Sequence, residues 1–415
     1  MDRLELDFSS WLNAPTHRQW LADEGLRLLA FARASRLPEG FGYLDEHGVL
    51  TRAPAQLLIT ARMTHSFALA HVQGLPGFAD LIDHGLSALR GCLRDHQHGG
   101  WYATAHHADS DTGKAAYLHA FVALAASSAV VAGRPGAETL LADAIGVIEQ
   151  RFWSENEGAM REGFDQAWVT EEAYRGANSN MHSVEAFLAL ADVTTDSAWL
   201  KRALRICERI IHGHAVANGH RVMEHFSSSW EPLPEYNDDI PADPFRPYGS
   251  TPGHAFEWAR LLLHLEAALR RAGLEAPCWL LGDARELFDN ACQVAWDVDG
   301  QKGIVYTLDW QDRPVVRQRM HWVHAEASAA AAALLRRTGE PAYEHWYRVF
   351  WEFIGQHFID LREGSWHHEL DTANQPSAQV WGGKPDLYHA LQAVLLPRLP
   401  LAPSLASALA DQSLM

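Results

Sequence analysis

Six residues suited to proton transfer or hydrogen bonding stand at long, similar intervals along the chain. Arg62, Tyr117, His182, His254, Glu326 and His389 are separated by 55, 65, 72, 72 and 63 residues. Several have a second polar or aromatic group one helical turn away: Asn178 and His182 are i,i+4, His254 and Glu257 are i,i+3, and Trp322 and Glu326 are i,i+4. Each spacing puts both side chains on one face of a helix. Histidine titrates near neutral pH, so imidazoles near carboxylates are suited to general acid–base chemistry. The chain also holds 24 His and 16 Trp. Tryptophan offers flat apolar faces with one polar handle, and the two counts together predict an aromatic, His-lined pocket. Any one of these residues alone reads equally well as a packing or capping group, so the inference rests on the constellation.

Other chemistries find no support. The histidine pairs His96/His98, His106/His107, His212/His214, His321/His324 and His367/His368 are numerous, but none sits in an HExxH or Cys/His pattern with zinc spacing. No metal and no cofactor is therefore expected. There is no GxxxxGK[ST] or GxGxxG stretch for a nucleotide and no GxSxG nucleophile elbow.

The elements that must position the six residues are helices. Apolar periodicity predicts about twelve, at Trp20–Ala34, Leu57–His71, Pro76–Asp95, Lys114–Ala132, Ala137–Phe152, Asn180–Asp192, Ser197–His212, Pro252–Ala272, Trp279–Trp296, His324–Thr338, Ala342–Phe358 and Asp386–Leu396. Short aromatic pieces at Gly99–Tyr102, Gly303–Leu308 and Gly364–Glu369 read as small hairpins. Helices do not alternate with buried strands, which argues against a parallel sheet. A sixth of 415 residues is about 69, enough for one helical hairpin with its loops, and the long internal period is a repeat signature. The expected fold is all-α: an (α/α)6 barrel with short β-hairpins between helices, forming one domain over residues 1–415. The stretch Trp230–Gly249, rich in proline and acid, reads as a long functional loop over one end.

Composition narrows the setting. Apolar residues make up 47% and charged residues 21%, and the formal charge is −18, which disfavours nucleic acid and anionic membranes as partners. No apolar run is long enough for a membrane span. The N-terminus lacks a signal pattern, and the four cysteines, far apart and without CxxC spacing, read as reduced and buried in a cytoplasmic protein. Apolar Leu399 and Leu401 either cover the barrel or meet a second copy in a homo-oligomer.

Arg62 in Thr60-Ala61-Arg62-Met63, Tyr117, the Asn178/His182 pair, the run Pro252-Gly253-His254-Ala255-Phe256-Glu257-Trp258 and the run Gly383-Lys384-Pro385-Asp386-Leu387-Tyr388-His389 together resemble the N-acylglucosamine 2-epimerase superfamily. Within it the chain is most similar to the aldose–ketose isomerase branch of D-mannose and sulfoquinovose isomerases, over about residues 10 to 400. The resemblance implies an (α/α)6 barrel and metal-free proton transfer through a cis-enediol on a monosaccharide. It implies catalytic roles for His254 and His389, acidic roles for Glu257 and Glu326, and sugar binding by Arg62, Tyr117, Asn178 and His182. The stretch His321-Trp322-Val323-His324 departs from the pattern.

Moving a proton from C2 to C1 needs a base and a stabilised enediolate. His389 is expected to be the carbon base and His254 the acid that opens the sugar ring, the reverse assignment remaining open. Glu257 is expected to orient His254. Trp322 and Trp381 are expected to pack on the sugar face, and Arg62 to donate to substrate hydroxyls or the enediolate oxygen; a sulfonate would favour additional cations, and Arg62 and Arg246 near the motifs do not decide between the two sugars. Mannose–fructose isomerisation is the main expectation, with sulfoquinovose isomerisation or 2-epimerisation as alternatives. A glycoside hydrolase using Glu257 and Glu326, or a binding protein with a degenerate pocket, are readings from other classes.

Overall fold

The computed structural model describes residues 10–51, 53–105 and 112–413; the His106/His107 pair lies outside them. Among these residues the helices are α1 (Pro15–Ala32), α2 (Leu57–Val72), α3 (Ala79–Arg90), α4 (Ala116–Val131), α5 (Ala137–Val147), α6 (Ala177–Thr194), α7 (Ala198–Cys207), α8 (Pro252–Arg271), α9 (Trp279–Ala295), α10 (His321–Thr338), α11 (Pro341–Phe353), α12 (Tyr388–Leu395) and α13 (Leu405–Ser413). Helices α2, α4, α6, α8, α10 and α12 each pack on the next, and α12 packs back on α2. Each has an outer partner: α3, α5, α7, α9 and α11 follow their inner helices, and α1 backs α12. Six hairpins therefore close into an (α/α)6 barrel.

Sequence sorts inner from outer. Helix α4 is buried on nearly all sides, and α10 is lined with small residues including Ala329–Ala333, which let neighbouring backbones approach closely. Outer helices are amphipathic: α3 buries Leu81, Ile82, Leu86 and Leu89, and α11 buries Tyr343, Tyr347, Phe350 and Trp351. The core fills the layer between the two rings.

The ends of the inner helices are tied down in a repeating way. The residue or residues preceding each inner helix hydrogen-bond to the loop that follows its outer partner. The antiparallel pairings are Gln56 with Thr104, Lys114-Ala115 with Gly163-Phe164, Tyr174–Gly176 with His225–Ser227, Ser250 with Leu308, and Arg319-Met320 with Glu369-Leu370. Lys384 N to Leu44 O at 2.8 Å completes the circuit. Four ion pairs join a cation just before an inner helix to an acid in the loop after the outer helix of the preceding hairpin: Lys114–Asp95 (2.8 Å), Arg175–Glu157 (2.8 Å), Arg319–Asp299 (2.8 Å) and Lys384–Asp360 (2.6 Å). Together these contacts gather the inner N-termini at one rim.

Several expectations need correction. Helix α10 begins at His321 rather than His324, so Trp322 is helical. Helix α6 begins at Ala177, and α12 begins at Tyr388, because Asp386 stays outside and accepts the Tyr388 N–H through its side chain (3.0 Å). Helix α3 is shorter than Pro76–Asp95, stopping where Gly91 takes a non-helical conformation. The three aromatic stretches are not regular hairpins: each meets the segment before it through a single bridge, Arg94–Trp101, Trp296–Ile304 and Ile359–Trp366, and the last residues of two of them, Leu308 and Glu369, pair instead with the approach to an inner helix. Helix α13 has no counterpart in the sequence reading; it packs on α2, α4 and α6 at the end of the barrel away from their N-termini. Leu399 is buried, and Leu401 lines a chamber there with Leu405. Cys207 and Cys292 are buried, but Cys92 and Cys278 are exposed, and all four are free. No described helix is long and apolar enough to cross a membrane.

The Lys114–Asp95 pair is fully buried. Removing one partner strands the other charge, so Lys114→Met is expected to destabilise by about 3–5 kcal/mol. Replacing both partners with apolar residues should recover much of the loss. Denaturant unfolding of the single and double variants checks this.

Candidate active site

At the rim where the inner helices begin, their first turns surround a cavity of about 100 Å³. Arg62 of α2, Tyr117 of α4, Asn178 and His182 of α6, His254 and Glu257 of α8, Trp322 of α10 and His389 of α12 all line it, with Trp381 from the loop before α12. The long loop over residues 228–250 contributes Pro244, Phe245 and Pro247 at its mouth.

The two histidines expected to transfer protons are anchored alike. His254 Nδ1 lies 2.9 Å from both oxygens of Glu224, and His389 Nδ1 lies 2.9 Å from Glu326 Oε1. A carboxylate only accepts, so Nδ1 donates in both rings and Nε2 is left as the exchangeable nitrogen. Trp322 lies against both imidazoles, its ring 5.2 Å from His254 and 5.7 Å from His389 between centroids. Gly253 makes this possible: a Cβ there would lie 2.5 Å from the Trp322 ring.

Behind the wall sits a charged layer. Arg260 Nε donates to Glu326 Oε2 at 2.8 Å, and its Nη2 stands 3.6 Å from Glu257. Burial, reinforced by the Glu326 charge, pushes Glu257 well above the usual carboxylate range, which favours its protonated, donating form. Burial also raises Glu326, against the opposing charge of Arg260. His389 is pushed well below the ordinary imidazole value by burial and then by the Arg62 charge; it rests neutral, as a base must. Burial takes His182 down to about 4 despite Glu185. Arg62 is held between Asp386 (3.1 Å) and the Tyr117 hydroxyl (3.0 Å), over the faces of Phe121 and Tyr388. Burial pushes the Tyr117 phenol up to about 12, so it remains a donor. Arg62 Nε, Asn178 Oδ1, His182 Nδ1 and both Glu257 oxygens are buried without a hydrogen-bond partner among the described residues. Such a cluster is costly unless a ligand or water completes it.

Three expected residues are placed differently from their assigned roles. Glu257 does not touch His254; Glu224 does. Glu326 does not line the cavity, because it is turned behind His389 toward Arg260. Arg246 is drawn away by Glu172 (2.7 Å) and the Tyr174 face. Sequence reasoning also missed Asp386, although it stands inside the Gly383–His389 run, and the stacked pair His321/His368 at 3.7 Å, which lines the cavity. Glu224 sits in an irregular segment with no periodic signal.

Among the described residues two groups bring ligating atoms within 4.8 Å of one another: His182/Glu185/Glu257 and Glu257/Glu326/His389. Arg260 already supplies positive charge at Glu326 and beside Glu257, so a dication there would face a guanidinium.

The N-acylglucosamine 2-epimerase family model matches residues 40–393. The chain is 66% identical over 411 residues to D-mannose isomerase of Pseudomonas cannabina pv. alisalensis, covering 99% of each. It is 54% identical over 405 residues to D-mannose isomerase of Thermobifida fusca, covering 96% of this chain and 98% of that one. A crystal structure of a D-mannose isomerase superposes with a TM-score of 0.85 at 29% identity, covering 92% of this chain and 98% of the other.

Two outcomes follow from the site. Gly253→Ala should displace Trp322 and lower kcat about 100-fold or more through misplacement of the reacting groups, with helicity by circular dichroism unchanged. Burial holds His65, His182 and His321 neutral, each down to about 4, whereas the unfolded chain protonates them near 6.5. The unfolded state therefore binds more protons between these values, and stability present above pH 6.5 is lost as pH falls toward 4. Thermal unfolding across that window should show a steadily falling midpoint.

Proposed function

The chain belongs to the N-acylglucosamine 2-epimerase family, and we propose that it is an isomerase interconverting D-mannose and D-fructose by metal-free proton transfer between histidines. The observation that carries this reading is the pair of imidazoles, each with Nδ1 anchored on a carboxylate, bordering one cavity. The identity to curated D-mannose isomerases over nearly the whole chain supports mannose as the substrate.

In this reading His254 donates a proton from Nε2 to the ring oxygen and the pyranose opens. His389, resting neutral, takes the C2 proton through Nε2 and returns it to C1. As the C2 carbonyl forms, the O2 hydroxyl proton passes through water to O1, which becomes the C1 hydroxyl. Arg62 and protonated Glu257 are the donors available to the developing enediolate oxygen, worth most where water is excluded. Trp322 and Trp381 offer apolar faces to the sugar carbons. Because one imidazole serves both carbons, the proton stays on one face of the cis-enediol, which favours C1 over return to the opposite face of C2.

The cavity charge supports a neutral sugar. Arg62 is charge-paired with Asp386 and Arg246 with Glu172, so neither offers an unbalanced positive charge to a sulfonate. The absence of disulfides among the described cysteines fits a cytoplasmic enzyme.

Incubation with mannose in D2O containing EDTA, read by NMR, tests the proposal. Fructose carrying deuterium at C1, at a rate the chelator leaves unchanged, is expected. Glucose as the sole product would contradict isomerisation, and inactivation by EDTA would contradict the metal-free step.

A further inference from the structure

The two anchoring carboxylates are not equivalent. Glu326 divides itself, one oxygen on His389 and the other on Arg260, so its charge is already balanced. Glu224 is 3% exposed and turns both oxygens on His254 at 2.9 Å; among the described residues His254 is the basic group in ion-pair contact with it. Its backbone is fixed as well: the Glu224 carbonyl accepts the Ala177 N–H (2.9 Å) at the first residue of α6, just before the strand His225–Ser227 pairs with Tyr174–Gly176. An undivided, immobilised carboxylate supplies the countercharge an imidazole needs whenever it carries the proton it donates. A carboxylate shared with an arginine suits a ring that cycles from the neutral state.

We propose that Glu224 is the positioning residue of a ring-opening unit, Glu224–His254, separate from the carbon-acid unit His389–Glu326, and that this unit gives the protein a second activity: anomerisation of the free aldohexose. The assignment rests on the isomerase reading above. In the step, the His254 Nε2 proton passes to O5 and the C1–O5 bond breaks. The C1–O1 bond becomes a carbonyl, and the O1 proton passes to water. Rotation about C1–C2 and reversal of each transfer closes the ring on the other face of C1. Nothing is oxidised or reduced, and His389 takes no part.

The test follows α/β exchange of mannose by magnetisation-transfer NMR alongside fructose formation. The unaltered protein should make fructose, which reads the isomerase assignment separately. His389→Ala should make none yet still accelerate α/β exchange, and adding Glu224→Gln should return exchange to the buffer rate. Glu224→Gln alone should lower kcat about 100-fold or more, in line with loss of a positioned acid, while KM barely moves. Its isotope effect on mannose deuterated at C2 should shrink toward one as ring opening becomes limiting. Should the Gln variant fold poorly by circular dichroism, Glu224→Asp, which keeps the charge, should retain part of the exchange and show the same shrinking isotope effect. Exchange that survives Glu224→Gln in the His389→Ala background, or an isotope effect unchanged or larger in either Glu224 variant, would overturn the proposal.

Discussion

The hydrogen bond from Nδ1 of each cavity histidine to a buried carboxylate is the constraint on which the site depends. It fixes the tautomer, holds the ring and leaves a single nitrogen for the substrate. A carboxylate is tolerated at such depth only when its oxygens are taken up. Among the described residues His254 is the basic group that meets Glu224, whereas His389 and Arg260 share Glu326. The proposed proton traffic depends on both bonds being present together, and the barrel is the device that brings them together.

The device works by repetition. Each helical hairpin delivers the first turns of its inner helix to the same rim, because a backbone pairing locks the approach to that helix onto the loop behind its outer partner. Cation–carboxylate pairs tie four of these approaches to the loop after the preceding hairpin's outer helix, linking one hairpin to the next. The cavity wall can then hold polar atoms that no group among the described residues satisfies, such as the Glu257 oxygens and the amide oxygen of Asn178, since rigid neighbours keep them from finding partners elsewhere. Unsatisfied groups on rigid supports are what a polyhydroxylated ligand would complete.

Much of this is legible in the sequence. The six spaced residues fall one on each inner helix, because each repeat unit contributes a comparable position to the common rim, and the helix count follows from apolar periodicity. What escapes depends on contacts between irregular segments. Glu224 meets His254 across 30 residues from a stretch without periodicity. Glu257 shares a helical face with His254, which invites a pairing, yet a side chain one turn along does not reach Nδ1 when a carboxylate approaches from another segment. Arg246 lies close in sequence to the Pro252–Trp258 run, but Glu172 captures it. Helix α13 is short and only weakly amphipathic, so it leaves little pattern to read.

Nitrogen-15 NMR of histidine-labelled protein reads the tautomer of each ring. With a sugar alcohol that fills the cavity without reacting, such as mannitol, His254 and His389 should keep protonated Nδ1 atoms before and after binding, with shifts confined to Nε2. A proton resting on Nε2 with Nδ1 bare in either ring, or Nε2 signals indifferent to the ligand, would contradict that arrangement.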